Sequence, residues 1–363
     1  MLAATAPAGA AGSPGWRIVQ TLGSTTGQSS TDSIDAVSAS DAWAAASVGG
    51  TSGGPSLLVE RWNGTAWQTV PGAGRLAGAG FSSAVVAADS ATDAWVFAQT
   101  TQGAADVTYA LRWHHGRWAR SKFAPWQLVT SAVALSPTDV WAFGVNISGP
   151  TVSFAKHYNG TSWSPVSVPD TAEGVSATGP DDIWTVGQKL TKKGGLSLPV
   201  QNELSRWTGS AWHSIPFPRV TLPGKVAINN PQVLALGTSN VWVITGLSEG
   251  EGVYPGGLLL HWNGAKWRRV YWPYSSQTPV SIASDGHGGF WVETLSNISD
   301  IDHYSHGKWT KTAGPMGSAS GVQLSVLSRV PGTQSVWAGG ELLYPTSMPG
   351  EVTTQGVIEK YGP

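Results

Sequence analysis

Residues 175–212 contain a pattern that recurs along the whole chain. It reads Val175-Ser176-Ala177, then Asp182-Ile183-Trp184, and then Arg206-Trp207-Thr208-Gly209-Ser210-Ala211-Trp212. The Asp-apolar-Trp segment returns about every 49 residues, with Asn, Gly or Ser replacing Asp in the last three copies: Asp41-Ala42-Trp43, Asp93-Ala94-Trp95, Asp139-Val140-Trp141, Asp182-Ile183-Trp184, Asn240-Val241-Trp242, Gly289-Phe290-Trp291 and Ser335-Val336-Trp337. A period of this length is typical of repeat folds.

A second signature follows each copy by about twenty residues. It is a basic residue before an aromatic one, with a Trp five positions after the aromatic residue in six copies: Arg61-Trp62 to Trp67, Arg112-Trp113 to Trp118, His157-Tyr158 to Trp163, Arg206-Trp207 to Trp212, His261-Trp262 to Trp267 and His303-Tyr304 to Trp309. The seventh copy, Lys360-Tyr361-Gly362, has no such Trp, but Gly15-Trp16-Arg17-Ile18-Val19 at the other end supplies one.

The two chain ends therefore share one repeat. An open solenoid does not need this arrangement, whereas a ring closed by its N-terminal strand does. We predict an all-β fold, a single seven-bladed β-propeller in which the strand Trp16–Val19 completes the C-terminal blade.

Alternation and turn residues divide each repeat into four antiparallel strands, named A to D from the axis outward. Strand A is a run of small residues, strand B holds the Asp-apolar-Trp segment, strand C the basic-aromatic pair, and strand D begins at the second Trp. Asn63-Gly64, Asn159-Gly160 and Asn263-Gly264 predict tight C–D turns with positive φ. The predicted blades span residues 33–71, 81–123, 131–169, 173–218, 230–273, 279–312, and 323–363 with 15–22.

The B–C and D–A connections hold nearly all of the length variation, including residues 99–108, 188–202, 217–231 and 246–257. Because the strands alternate in direction, these connections lie at one end of the ring. Variable loops on a rigid scaffold commonly carry binding surfaces, so we expect the ligand at this end.

Composition excludes several classes of protein. The 363 residues include no Cys, 21 basic and 22 acidic side chains, which excludes a disulfide scaffold and the basic footprint of a nucleic-acid or anionic-membrane binder. No apolar run approaches 18 residues, so no transmembrane helix or membrane insertion is predicted.

Residues 1–14 resemble the small-residue tail of an export signal, or an added start. We therefore expect an exported bacterial protein that lies at the cell surface or outside the cell.

Most aromatic and charged residues occupy repeat positions. Eighteen of the 20 Trp do so, which predicts packing between blades, and the Asp of strand B is expected to pair with the basic residue of strand C. The His residues lie at repeat positions or in short turns, so we predict no metal site and no cofactor.

Aromatic residues left over in the connections could stack on a ligand: Trp126, Trp272, Tyr254, Tyr274 and Tyr344.

Five carboxylates break the repeat: Glu293, Asp300, Glu203, Asp35 and Glu173. We expect Glu293 and Asp300 to face each other across one B–C hairpin, near Trp272 and Tyr274. Paired carboxylates beside aromatic rings are what glycosidic hydrolysis requires. An exposed hairpin end, a Glu bonded to a loop amide, or a cation held by these oxygens are the alternatives.

The copy at residues 175–212 resembles the repeat of tectonin-type and related bacterial lectin propellers, and more loosely those of kelch and Asp-box propellers. The likeness spans residues 15–363. It implies the propeller fold and glycan binding between blades. It carries over no catalytic motif, because the copper ligands of kelch oxidases and the Arg triad and Tyr nucleophile of sialidases have no convincing counterparts in this chain.

Together these patterns predict a non-enzymatic binding propeller for a glycan or cell-envelope polymer. The predicted site residues are Trp126, Trp272, Tyr254, Tyr274, Tyr344 and Glu203. One alternative is a polysaccharide hydrolase or lyase that uses Glu293 and Asp300, or Asp35 and Glu173. Another is a protein-interaction module of a surface protein.

Overall fold

The computed structural model describes residues 15–49, 54–149, 152–193, 196–218, 227–248, 256–274, 277–295 and 300–362. The tail 1–14 lies outside these residues. The chain begins with β1 (Trp16–Leu22), and blade 1 follows as β2 (Gln28–Ser38), β3 (Asp41–Gly49), β4 (Ser56–Trp62) and β5 (Trp67–Thr69). After a helix, α1 (Ala73–Ala77), blade 2 is formed by β6 (Phe81–Ala88), β7 (Asp93–Gln102), β8 (Ala105–His114) and β9 (Arg117–Lys122).

The remaining blades repeat this order of strands. Blade 3 consists of β10 (Gln127–Ser136), β11 (Asp139–Asn146), β12 (Val152–Tyr158) and β13 (Trp163–Val166). Blade 4 consists of β14 (Gly174–Gly179), β15 (Asp182–Lys193), β16 (Leu196–Trp207) and β17 (Trp212–Pro216). Blade 5 consists of β18 (Ala227–Ala235), β19 (Val241–Ser248), β20 (Gly256–Trp262) and β21 (Trp267–Val270). Blade 6 consists of β22 (Thr278–Ser284), β23 (Phe290–Leu295), β24 (Asp300–Ser305) and β25 (Lys308–Ala313).

Blade 7 joins the two ends of the chain. It consists of β26 (Gly321–Arg329), β27 (Val336–Pro345), β28 (Val352–Tyr361) and the N-terminal β1. The strands β1 and β28 are antiparallel, with Trp16 opposite Tyr361. This is the predicted closure of a seven-bladed ring.

The hydrogen-bonded sheets are fewer than the blades. Blades 2 to 6 are separate four-stranded sheets, whereas blades 7 and 1 form one eight-stranded sheet. The connection between them is a single parallel bridge, Gln28 opposite Thr354. Among the described residues, this is the one junction between blades at which backbone strand pairing adds to side-chain packing.

Two segments predicted as variable loops are strands. The prediction was wrong for residues 99–108, which belong to the long β7–β8 hairpin with its turn near Gly103, and for residues 188–202, which extend β15 and β16. Parts of 217–231 and 246–257 lie outside the described residues. The helix α1 lies outside the repeat pattern and was not predicted. No helix among the described residues is long and apolar enough to cross a membrane.

The core lies between the blades and is rich in aromatic rings, as predicted. The strand B Trp of one blade packs on the strand C and strand D aromatics of the next. The ring centroid of Trp337 in blade 7 lies 5.0 Å from that of Trp62 and 5.1 Å from that of Trp67 in blade 1. Trp291 of blade 6 lies 4.5 Å from Tyr361 and 5.6 Å from Trp16. The N-terminal Trp16 therefore takes the place of a strand D Trp.

The predicted Asp–basic pairs within blades are present. Their shortest contacts are Arg61–Asp41 at 3.0 Å, Arg112–Asp93 at 2.6 Å, His157–Asp139 at 2.8 Å and Arg206–Asp182 at 2.6 Å. In blade 6 the A–B turn supplies the acid, since Asp285 lies 2.9 Å from His303. These Asp residues hold the ends of strands B and C together and are not free for chemistry.

Candidate functional site

The inner strands surround an axial cavity of about 740 Å³. Several polar residues of strand A accept hydrogen bonds from backbone N–H groups of the next blade. Asp35, Ser176 and Ser328 each lie opposite a strand B Trp, and they accept from Ala88 at 2.8 Å, Ala235 at 3.0 Å and Ala36 at 3.0 Å. Ser33 and Ser281, each two residues before the position opposite the Trp, accept from Val86 at 3.1 Å and Leu327 at 2.9 Å.

Asp35, a candidate for catalysis, is thus a link between blades 1 and 2. Burial raises its pKa to about 6, while the Ala88 N–H opposes that shift. Glu173, the other strand A candidate, accepts a hydrogen bond from the Thr171 hydroxyl at 2.9 Å. The two residues lie in different blades and do not form a pair.

Glu203 lies at the junction of blades 3 and 4. It is 1 % exposed and close to Asp170, whose carboxylate accepts hydrogen bonds from Ser205 at 2.6 Å and Thr185 at 3.1 Å. Burial raises the pKa of Asp170 to about 6, and the neighbouring Glu203 adds to that shift. The position is too enclosed for direct contact with a large ligand.

The junction of blades 5 and 6 brings three predicted residues together. Trp272 and Tyr274 pack on Trp309 of blade 6, with centroids 5.3 Å and 5.9 Å from its ring. Lys311 lies 4.7 Å from the Tyr274 ring and 2.9 Å from the Asp300 carboxylate. The site is a packed aromatic cluster whose acid already has a cation as partner.

Asp302 completes this cluster and was missed by the sequence analysis. It is fully buried, and burial raises its pKa to about 6, while the nearby Tyr274 hydroxyl lowers it. Burial and the Asp302 carboxylate together raise the pKa of Tyr274.

Glu293 and Asp300 do not face each other, contrary to the prediction. Glu293 is paired with Ile301 in the β23–β24 ladder, so Asp300, one residue earlier, projects from the opposite face of the sheet. Glu293 faces blade 7 and the buried Glu359, which contributes to raising its pKa well above the usual range, burial being the larger cause. Burial raises the pKa of Glu359 to about 8.

The missed residues share one position. The residue immediately before the basic residue of strand C is Glu60, Leu111, Lys156, Ser205, Leu260, Asp302 or Glu359 in the seven blades. Ser205, Asp302 and Glu359 each face the preceding blade. Charged side chains are uncommon at such enclosed positions. Comparison of the repeats at this position could have identified Lys156, Asp302 and Glu359.

Trp126 lies in the connection from blade 2 to blade 3, between the B–C hairpins of both blades. Its N–H donates to the Asp106 carbonyl at 2.7 Å, and its own carbonyl accepts from the Ile147 N–H at 3.0 Å. The side chain is half-buried and makes no ring contact among the described residues. Ile147 and Val152, 37 % and 36 % exposed, are the apolar residues at the end of the adjacent hairpin.

The backbone of Trp126 is strained. Pro125 and Trp126 occupy the middle of a turn closed by a hydrogen bond from the Gln127 N–H to the Ala124 carbonyl at 3.2 Å. The φ of Trp126 is +68°, at a turn position where glycine is the usual residue. Left-handed backbone in a bulky residue costs about 1–2 kcal/mol and often marks a functional position.

The two remaining candidates do not join these sites. Tyr344 packs on the cluster between blades 6 and 7, and its hydroxyl donates to Gln355 at 3.2 Å. Tyr254 lies outside the described residues.

No protein-family model and no curated protein matches the chain. Among solved structures, the chain is similar to YCF48 from Cyanidioschyzon merolae, with a TM-score of 0.58 and 16 % identity over 96 % of this chain and 99 % of that one. A structure of YCF48 bound to D1 peptide gives a TM-score of 0.56 and 10 % identity over 96 % and 97 %.

Two further solved structures are also similar to this chain. The WD40 β-propeller domain of Doa1 gives a TM-score of 0.54 and 9 % identity over 95 % of this chain and 97 % of that one. An ulvan lyase of polysaccharide lyase family PL25, bound to -[GlcA(1-4)Rha3S]-, gives 0.53 and 10 % over 88 % and 93 %. At such identities the likeness establishes the β-propeller fold alone.

Proposed function

We propose that the chain is a non-enzymatic binding propeller that takes a glycan or cell-envelope polymer at the end formed by the B–C and D–A connections. The observation that carries this proposal is the strained Trp126, fixed by backbone hydrogen bonds to two hairpins. A backbone held in this way loses little conformational entropy when a sugar ring stacks on the indole. Packing alone gives no reason for Trp at a turn position suited to glycine.

Hydrolysis is less well supported. A glycosidase needs two carboxyl groups roughly 5 to 10 Å apart in one cleft. Glu293 and Asp300 project from opposite faces of their sheet, Asp300 is paired with Lys311, and Asp35 and Glu173 belong to different blades. The geometry therefore favours binding over hydrolysis or lyase chemistry.

A protein partner is the second candidate function. Ile147 and Val152 expose apolar surface beside the Trp126 connection, and aromatic residues with apolar neighbours are typical centres of protein interfaces. The neighbour YCF48 has been solved with a bound peptide, and the ulvan lyase with an oligosaccharide, so propellers of this shape accommodate both kinds of ligand.

The setting that we propose is extracellular or at the cell surface of a bacterium. The support comes from the small-residue tail, the absence of Cys from the sequence and the resemblance of the repeat to tectonin-type lectin propellers. Trp126 has no counterpart in the other repeats. We therefore expect one principal glycan site in this chain, unlike a lectin with one site in each blade.

A glycan array with the wild type and two variants tests the proposal. Trp126→Ala should weaken binding about tenfold or more, because a stacked ring contributes about 0.5–1.5 kcal/mol beyond its buried area. Tyr271→Ala is the matched control, since Tyr271 is 77 % exposed and lies in another connection. Unchanged binding by Trp126→Ala would remove Trp126 from the site, and no glycan binding by the wild type would overturn the proposal.

A further inference from the structure

Lys156 is an unusual residue at the junction between blades 2 and 3. It lies on β12 at the position before the basic residue of strand C, where it is the only Lys or Arg in the seven repeats. Its ammonium is 4.6 Å from the ring of Phe123, which lies three residues before Trp126. Lys156 therefore belongs to the same junction as the Trp126 connection.

The charge of Lys156 is not balanced by a carboxylate. The side chain is half-buried and has no ion pair among the described residues. Burial lowers its pKa, and no nearby acid opposes that shift. A cation withdrawn from water without a counter-charge is unfavourable unless a ligand supplies one.

A groove continues along this junction past Tyr158, two residues from Lys156 on the same strand. Its volume is about 350 Å³, and its lining includes Arg112, Arg120, Ser121 and Thr161 but no Asp or Glu. Arg112 is paired with Asp93, and the Arg120 side chain points to the other face of blade 2, where it donates to the Leu76 carbonyl. The groove offers the Arg112 guanidinium and hydroxyl groups to a polar chain.

The whole surface carries more basic than acidic side chains. Ten of the 22 acidic residues are buried, whereas none of the described Lys or Arg side chains is. The formal net charge of -1 thus conceals an excess of cations at the surface. Such a surface attracts anionic polymers at low salt.

On the basis of the proposed function, we infer that the ligand is an anionic polysaccharide. One of its carboxylate or sulfate groups is held by Lys156 at the junction between blades 2 and 3, while a sugar ring stacks on Trp126. A neutral glycan would leave Lys156 without a counter-charge.

Binding of two celluloses to the full chain tests this inference. Carboxymethylcellulose and hydroxyethylcellulose share a backbone and differ in charge, and affinities are measured by calorimetry at 20 and 300 mM NaCl. We expect tighter binding of the carboxymethyl polymer, weakened by salt. Lys156→Met should lower its affinity about tenfold, as expected for loss of one charge-assisted hydrogen bond, and leave hydroxyethylcellulose unaffected. Lys308→Met, which removes an exposed charge in blade 6, is the control and should have little effect.

The outcomes separate the two proposals. Equal binding of both polymers, lost in Trp126→Ala but not in Lys156→Met, overturns the anionic ligand and leaves the glycan-binding function in place. If neither polymer binds and an array of glycans is also negative, the proposed function itself fails. Binding of poly-glutamate but of no acidic glycan also overturns the inference, in favour of an acidic peptide. Unchanged thermal unfolding of Lys156→Met verifies that the variant is folded.

Discussion

Trp16 and Tyr361 are register partners in one antiparallel sheet, with ring centroids 5.6 Å apart. Trp16 also packs at 5.6 Å against Trp291 of blade 6, so it contributes both to blade 7 and to the junction beyond it. The closure of the ring depends on this residue more than its terminal position suggests.

Replacing Trp16 should therefore destabilise the whole domain. Large-to-small substitution of a packed Trp costs about 3–5 kcal/mol, and the half-buried Trp16 is expected near the lower value. We expect Trp16→Ala to lower the free energy of unfolding by about 3 kcal/mol in urea titrations. Tyr271→Ala, which alters an exposed ring, serves as the control. Equal stability of the two variants would contradict the role of β1 in closure.

The buried Glu359 should make stability depend on pH. Its pKa is near 4.5 in the unfolded chain and about 8 in the folded one. Between these values Glu359 binds more protons in the folded state, so its contribution to stability is greatest below pH 4.5 and falls as pH rises toward 8, by at most about 1.4 kcal/mol per pH unit. Glu359→Gln should raise stability at pH 8 and change little at pH 4.

The control for this experiment is Glu351→Gln, which changes an exposed carboxylate. Chemical denaturation of the three proteins from pH 4 to 9 gives the slopes directly. A wild-type curve parallel to that of Glu359→Gln would show that Glu359 is not protonated in the fold at neutral pH.

Substitutions of Asp35 test the hydrogen bond that links strand A of blade 1 to strand A of blade 2. Ser176 and Ser328 accept the equivalent N–H groups in other blades, so Asp35→Ser should retain the hydrogen bond from Ala88. Asp35→Ala should lose about 1–3 kcal/mol because it leaves that N–H buried and unpaired. Thermal unfolding of both variants provides the comparison, and equal loss in the two would refute the hydroxyl as a substitute acceptor.

The strain at Trp126 predicts an unusual order of stabilities. Glycine adopts positive φ without penalty, so Trp126→Gly should be more stable than Trp126→Ala by about 1 kcal/mol. At a residue with ordinary backbone the order would be reversed. Both variants should lose glycan binding to the same extent, which separates the conformational effect from recognition.

The repeat pattern predicted the blades, the shared repeat and the Asp–basic pairs because these depend on residues that recur at fixed spacing. Side-chain direction was harder to predict. In a strand, a shift of one residue moves a side chain to the other face, and this placed Glu293 opposite Glu359 and not opposite Asp300. The role of Asp35 depends on a backbone N–H in another blade, which the local sequence does not reveal.

Loop length was also misleading. Residues 99–108 and 188–202 differ between repeats, and length variation alone cannot distinguish an irregular loop from a hairpin that extends beyond the blade. The strained backbone of Trp126 likewise depends on two hairpins that are distant from it in sequence.

The pairing of β1 with β28 has a consequence for biosynthesis. The strand β1 is made before the rest of the ring and has no partner until β28 follows it, so blades 1 to 6 emerge as an open arc with exposed edges at both ends. Contacts between such distant segments form slowly, and unpaired edges favour association with other chains. The cell must therefore keep this arc unaggregated until β28 has been made.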